Sequence, residues 1–214
     1  MREPVYLTDA EVFKELRGIA LGKIYLDFDE SKISSLSEMK EIVNNFKTRQ
    51  PRGTILSGSF GCGKTTLLHW LAFRILKDVP ADCLRSIHLP IIPGGEDEIY
   101  IVSKRPCFSI KMCRTSKLLT LMLERQHEAV QTFERAEILM LDDFARIYSG
   151  DLPLTKLEDF IEYRYANLLP TFITLDITLT DMVKQTQWTA MVDRFKDSKW
   201  MFPGLVLAGG SRRK

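Results

Sequence analysis

The sequence is poor in the features that mark several common functional classes. It has four cysteines, Cys62, Cys83, Cys107 and Cys113, with no CxxC pair and none of the three histidines near them at zinc-ligand spacing. This argues against a zinc site or a disulfide scaffold and reads the cysteines as reduced, structural thiols. Thirty Lys and Arg against 28 Asp and Glu leave a net charge of +2, too little of either sign to mark the whole chain as nucleic-acid-binding. Any such contact must come from a local patch. No window approaches about 18 uncharged apolar residues, and the opening MREPVYLTDAEVF carries acids where a signal peptide needs an apolar stretch. The chain is therefore expected to be soluble, cytoplasmic and without a membrane partner. Repeats and low-complexity tracts are also lacking.

What is present suits one folded domain with a substantial core: 214 residues, 45% hydrophobic and 27% charged. Apolar runs bounded by turn residues occur at GTILSGS (53–59), CFSIKM (107–112), EILMLDD (137–143), TFITLDI (171–177) and GLVLAGG (204–210). They read as five buried strands. Helical patterns lie between them at Lys64 to Leu76, Ser116 to Val130, Leu154 to Leu168 and, more weakly, around Met182 and Met191. Strands alternating with helices predict crossover connections and a mostly parallel sheet covered on both faces. Upstream, Ser35 to Phe46 reads as a helix with Leu36, Met39, Ile42, Val43 and Phe46 on one side and Ser35 or Ser37 as its cap. The stretch 79–103 holds Pro80, Pro90, Pro93, Gly94 and Gly95, then Glu96-Asp97-Glu98, and reads as an excursion between the first crossover helix and the second strand.

GSFGCGKTT, Gly58 to Thr66, has the Gly-x-x-x-x-Gly-Lys-Thr spacing of a phosphate-binding loop, between a strand, ILSG, and an apolar helix, LLHWLAFRIL. Gly58, Gly61 and Gly63 let the backbone turn so that successive N–H groups, including those of Ser59, Phe60, Cys62 and Thr66, face an anion, and the helix N-terminus adds partial positive charge. Lys64 is expected to reach the β- and γ-phosphates of ATP, and Thr65 to offer a hydroxyl to Mg²⁺. ILMLDDF then places Asp142 and Asp143 at the carboxyl end of a strand apolar enough to be central, where open α/β sheets bind ligands. Asp142 is the candidate to hold Mg²⁺ through water, and Asp143 the candidate to orient or deprotonate the attacking water. The short reach of an aspartate at 143 predicts slow turnover.

The stretch LDDFARIYSGDLPLTKLEDFIEYRYANLLPTFITLDITLTDM resembles the DnaC/IstB family of AAA+ ATPases. The features that carry the likeness are Asp142-Asp143, Arg164-Tyr165, Leu169-Pro170-Thr171 and the strand FITLDI, with Gly209, Ser211 and Arg213 resembling a terminal Gly-x-Ser-x-Arg. The resemblance runs from about residue 28 to the last. It implies a P-loop NTPase of the AAA+ type: an α/β three-layer fold with a mostly parallel five-stranded sheet and no separate helical lid. Residues 28–214 are then the ATPase domain and 1–27 a short N-terminal segment. The implied function is ATP hydrolysis in DNA replication as a helicase loader, or in transposition beside a transposase. Asp176 stands where the family usually has an Asn that orients water, and Ala190 where it has the first arginine of a box ending in Arg194. Two roles fit Arg194: reaching a neighbouring subunit's nucleotide, or a surface ion pair. Arg213 likewise fits either a contact to nucleotide or a solvated basic tail. A nucleotide-gated adaptor with negligible hydrolysis is the reading that Asp176 and Ala190 favour, whereas the text around Arg164 to Thr174 is unlike a kinase's acceptor site.

The partners implied are single-stranded DNA, a replicative helicase or a transposase, and further copies of the chain assembling with ATP. For DNA, the basic residues offered are Lys104 and Arg105 before the second strand and Lys111, Arg114 and Lys117 after it; if a helix begins after Lys111, Arg114 and Lys117 share a face. MREPVYLTDAEVFKEL reads as a short amphipathic helix capped by Thr8. It either presents Val12, Phe13 and Leu16 to a partner or packs them on its own core.

Overall fold

A computed structural model of the chain describes residues 4–19, 30, 35–48, 50–80, 108–144 and 151–207, apart from the side chains of residues 151, 152 and 186. In chain order the elements are α1 (Asp9–Ile19), α2 (Leu36–Lys47), β1 (Thr54–Gly58), α3 (Lys64–Asp78), β2 (Ile110–Arg114), α4 (Thr115–Leu123), α5 (His127–Glu134), β3 (Ile138–Asp142), α6 (Asp151–Ala166), β4 (Thr171–Leu175), α7 (Leu179–Val183), α8 (Thr189–Phe195) and β5 (Leu205–Leu207). The five strands form one sheet in the order β2-β3-β4-β1-β5. Every pairing is parallel.

The continuous apolar runs follow from burial on both faces, because successive side chains of a strand point to opposite sides. Leu56, Met112, Ile138, Met140 and Phe172 pack with α1, α2 and α3. Ile55, Cys113, Leu139, Leu141, Ile173 and Leu175 pack on the other side with α4, α6, α7 and α8. The cores are filled by large side chains, among them Trp70 and Phe46 on the first side and Trp200, Phe144 and Phe160 on the second.

Three boundaries differ from the sequence expectation. The second strand is displaced to Ile110–Arg114, with Lys111 half-buried within it. Arg114 ends that strand as the N-cap residue of α4, so Arg114 and Lys117 do not share one helix face. The helix expected over Ser116 to Val130 is two helices, broken where Arg125 adopts a left-handed conformation, φ 58°. At the N-terminus, Thr8 and Glu11 form a reciprocal cap: the Thr8 N–H donates to Glu11 Oε2 at 2.8 Å, and the Glu11 N–H donates to Thr8 Oγ1 at 3.4 Å. Val12 and Leu16 of this helix are buried in the core shared with α3, and Phe13 packs against Phe73, ring centroids 6.1 Å apart, so they are turned inward. Ser35 takes the N-cap position of α2 without a side-chain cap bond, while Ser37 Oγ donates to Glu38.

Arg164 explains the Arg-Tyr and Leu-Pro-Thr text. Its side chain is fully buried, and its guanidinium donates to the carbonyls of Phe133, Glu134 and Ala136 (3.1, 2.8 and 2.8 Å), to Pro170 O (2.8 Å) and to Thr171 Oγ1 (2.8 Å). One side chain thus caps the C-terminal end of α5 and ties together the entries to β3 and β4. Burial pulls its pKa down to about 9, against the charge of Glu134, so it remains cationic at neutral pH. Beside it, Tyr165 donates from its hydroxyl to Asp197 Oδ2 at 2.9 Å.

Candidate nucleotide-binding site

β1 lies between β4 and β5, and the chain leaves its carboxyl end through Ser59 to Gly63 straight into α3. The loop needs its glycines: Gly61 and Gly63 have φ of 79° and 101°, values that side chains with a Cβ rarely adopt. At Gly58 an added Cβ would come within 2.8 Å of Leu207 O and 2.9 Å of Cys62 Sγ. Gly63 occupies the N-cap position of α3 with no side-chain cap bond, which leaves the helix's first N–H groups for an anion. Phe60 is 51% exposed at the tip of this loop. Thr66 follows Thr65 in the first turn of α3.

Lys64 is buried and folded back: Nζ donates to Gly58 O at 2.8 Å and Ser59 O at 3.0 Å, and stands 4.0 Å from Cys62 Sγ. Thr65 Oγ1 meets both carboxylate oxygens of Asp142, 3.1 Å from Oδ1 and 3.0 Å from Oδ2. The loop, the head of α3 and the end of β3 therefore converge, as the sequence anticipates. A hydroxyl and a carboxylate at this spacing form a hard-oxygen donor set that suits Mg²⁺ with water completing its shell.

Asp143, immediately after β3, takes a left-handed conformation with φ 55°. Asp176 follows Leu175, whose register partner is Ser57, so it too leaves the sheet at the carboxyl end beside the loop; it is half-buried. Arg194, by contrast, lies on α8 paired with Glu162 of α6, and donates to Ala190 O at 2.9 Å. Arg213, Arg212, Lys104, Arg105, Cys83 and Cys107 lie outside the described residues, as does most of the 79–103 excursion. Among the described residues, Cys62 and Cys113 are free and buried, and burial pushes the Cys113 thiol up to about 12, as suits a structural thiol. No helix among these residues is long and apolar enough to cross a membrane.

Three residues beside the acidic pair were not singled out from the sequence. Thr174 Oγ1 donates to Asp142 Oδ1 at 2.7 Å and accepts from the Asp143 N–H at 2.8 Å. Thr115 Oγ1 donates to Asp142 O at 3.2 Å. His69, one helical turn beyond Thr65, places Nδ1 2.9 Å from Thr65 O, while Nε2 is buried with no hydrogen-bond partner among the described residues. Burial lowers the His69 pKa, opposed by the Thr65 carbonyl and the charge of Asp142. A threonine inside an apolar strand reads as a strand residue, so only the position two residues before Asp176 hinted at Thr174.

Solved structures of other proteins share this fold. A structure of DnaI matches with a TM-score of 0.58 at 17% identity, covering 98% of this chain and 96% of that one. The DnaC helicase loader matches with a TM-score of 0.56 at 19% identity, over 91% of this chain and 99% of the other. The replication initiator DnaA, bound to AMPPCP and single-stranded DNA, matches with a TM-score of 0.53 at 13% identity, over 92% of this chain and half (50%) of that chain. The fold is the α/β P-loop fold that these structures share. At these identities the likeness is one of fold. No protein-family model matches the chain, and no curated protein sequence does so.

Proposed function

We propose that this chain is a DnaC-like AAA+ protein that binds ATP with Mg²⁺, hydrolyses it slowly and acts in DNA replication as a helicase loader. The observation that carries the reading is the meeting of Thr65 Oγ1 with both oxygens of Asp142 at the head of α3, beside a buried Lys64 at the mouth of a glycine turn. That geometry supports a phosphate site with a cation site beside it. The fold shared with a helicase loader, and with an initiator holding a nucleotide analogue and single-stranded DNA, supports the replication role.

In this mechanism Lys64 exchanges the carbonyls of Gly58 and Ser59 for phosphate oxygens, and the N–H groups from Ser59 to Thr66 surround the phosphates. Thr65 and, through water, Asp142 would hold Mg²⁺, which would supply neutralisation of charge on the phosphate oxygens. Asp143 and Asp176 stand at the carboxyl end of the sheet to orient the attacking water. Arg194 serves a neighbouring subunit only after leaving Glu162, so hydrolysis awaits assembly. Arg114, Lys117 and Lys111 are the described basic residues offered to DNA. Arg114 is exposed at the end of an outer strand and pairs in register with Asp142, which puts it at the same end of the sheet as the nucleotide.

The test is ATP turnover with and without single-stranded DNA, alongside mass measurement in a slowly hydrolysed ATP analogue. Turnover that rises with DNA, and an increase in mass with nucleotide, supports a loader. Binding without turnover or change in mass leaves a nucleotide-gated adaptor. Stimulation only by a transposase moves the protein to transposition.

A further inference from the structure

The two aspartates after β3 do not hold themselves. Asp143 is a non-glycine residue in the left-handed region, φ 55°, a conformation that needs support from its surroundings. That support comes from the neighbouring strand. β4 runs beside β3 with Leu139, Met140 and Leu141 opposite Thr171, Phe172 and Ile173, which brings Thr174 level with Asp142. The Thr174 hydroxyl, fully buried, spends its one hydrogen on Asp142 Oδ1 at 2.7 Å and accepts the Asp143 N–H at 2.8 Å. Its own carbonyl accepts the Phe144 N–H at 3.0 Å. A single residue therefore holds three consecutive residues, and it fixes the rotation of the Asp142 carboxylate so that both oxygens face Thr65.

We infer that Thr174 is a positioning residue for the cation site: its hydroxyl orients the Asp142 carboxylate toward Thr65 and locks the turn that aims Asp143. The inference rests on the proposed nucleotide site and adds to it a residue that touches neither phosphate nor cation. A hydroxyl is required because the position must donate to a carboxylate and accept from an amide at once, which a serine can do and a valine of the same shape cannot. Loss of an oriented partner of a metal-holding carboxylate characteristically weakens the metal more than the rest of the ligand.

The experiment compares wild type, Thr174→Val and Thr174→Ser in the full chain. A slowly hydrolysed ATP analogue is titrated in EDTA, then Mg²⁺ is titrated at saturating analogue, and exchange of the Asp143 amide hydrogen is followed in the metal-free protein. The valine variant is expected to bind the analogue in EDTA as wild type does, to need about 10–100-fold more Mg²⁺, and to exchange the Asp143 amide faster, with serine restoring all three toward wild type. If the valine variant does not fold, Thr174→Ala takes its place in the same comparison. A hydroxyl-free variant that needs no more Mg²⁺ than wild type overturns the inference, as does a serine variant that fails as badly as valine, which would put the effect in packing. A wild-type chain that binds no analogue at all is a different result: it overturns the nucleotide site itself.

Discussion

At the residue scale, Thr65 meets Asp142 at the head of α3, next to a buried Lys64. Glycines at left-handed positions, a lysine at the head of a helix and a hydroxyl after it are rare in that order by chance, which is why the turn and the helix after it could be read from the sequence. Lys64→Ala removes a charged donor to phosphate worth about 2–3 kcal/mol, so affinity for ATP should fall by roughly 30- to 150-fold, measured by titration calorimetry. His69 gives a pH dependence. Burial favours its neutral form in the folded chain, so its folded pKa lies below the usual 6.5 and the unfolded chain binds the proton first. Its contribution to stability is complete above about pH 6.5 and is lost as pH falls through that value toward the lower folded pKa. Replacing it in His69→Gln should flatten the fall in melting temperature between neutral and acid pH, read by thermal melts across a pH series. Neither His69 nor Thr174 was singled out from the sequence: His69 reads as one more position of an apolar helix, and Thr174 acts through a partner on the adjacent strand.

At the element scale, the five strands and the long helices were legible from apolar runs and helical periodicity, while their ends were set by contacts that no local pattern encodes. The break between α4 and α5 is the plainest case: the helical pattern continues across it, yet Arg125 turns left-handed and α5 is redirected so that its last carbonyls meet Arg164. Substituting Arg164→Met takes the guanidinium donor from the carbonyls of Glu134 and Ala136 and one of two donors from those of Phe133 and Pro170, which keep the N–H groups of Ala136 and Leu139, and should cost about 3–5 kcal/mol in urea unfolding. Arg164→Lys should recover little of this, because one ammonium cannot span the guanidinium's several acceptors. Gly53 marks a second such junction. A Cβ there would fall 2.0 Å from Thr171 O, so Gly53→Ala should force β1 and β4 apart and destabilise the chain by about 1–3 kcal/mol, again by urea unfolding.

At the scale of the whole molecule, the strand order places β1 among β4 and β5 and gathers the loop, Asp142, Asp143 and Asp176 at one end of the sheet, which is why a sequence motif and an acidic pair 77 residues apart, Thr65 and Asp142, become one site. The role of Arg194 belongs to this scale, since its described partner is Glu162 of the same chain. A half-buried pair of this kind contributes about 1 kcal/mol, so Arg194→Ala should change stability only modestly while lowering the turnover of any assembled form, measured by melts and ATPase assay side by side. The site itself comes first. Titration of ATP with Mg²⁺ into the wild-type chain and into Lys64→Ala tests it most directly: saturable binding, one nucleotide per chain, that is lost or severely weakened in the variant is the expected result, and equal binding by both chains, or none by the wild type, would contradict a nucleotide site at Gly58 to Thr66.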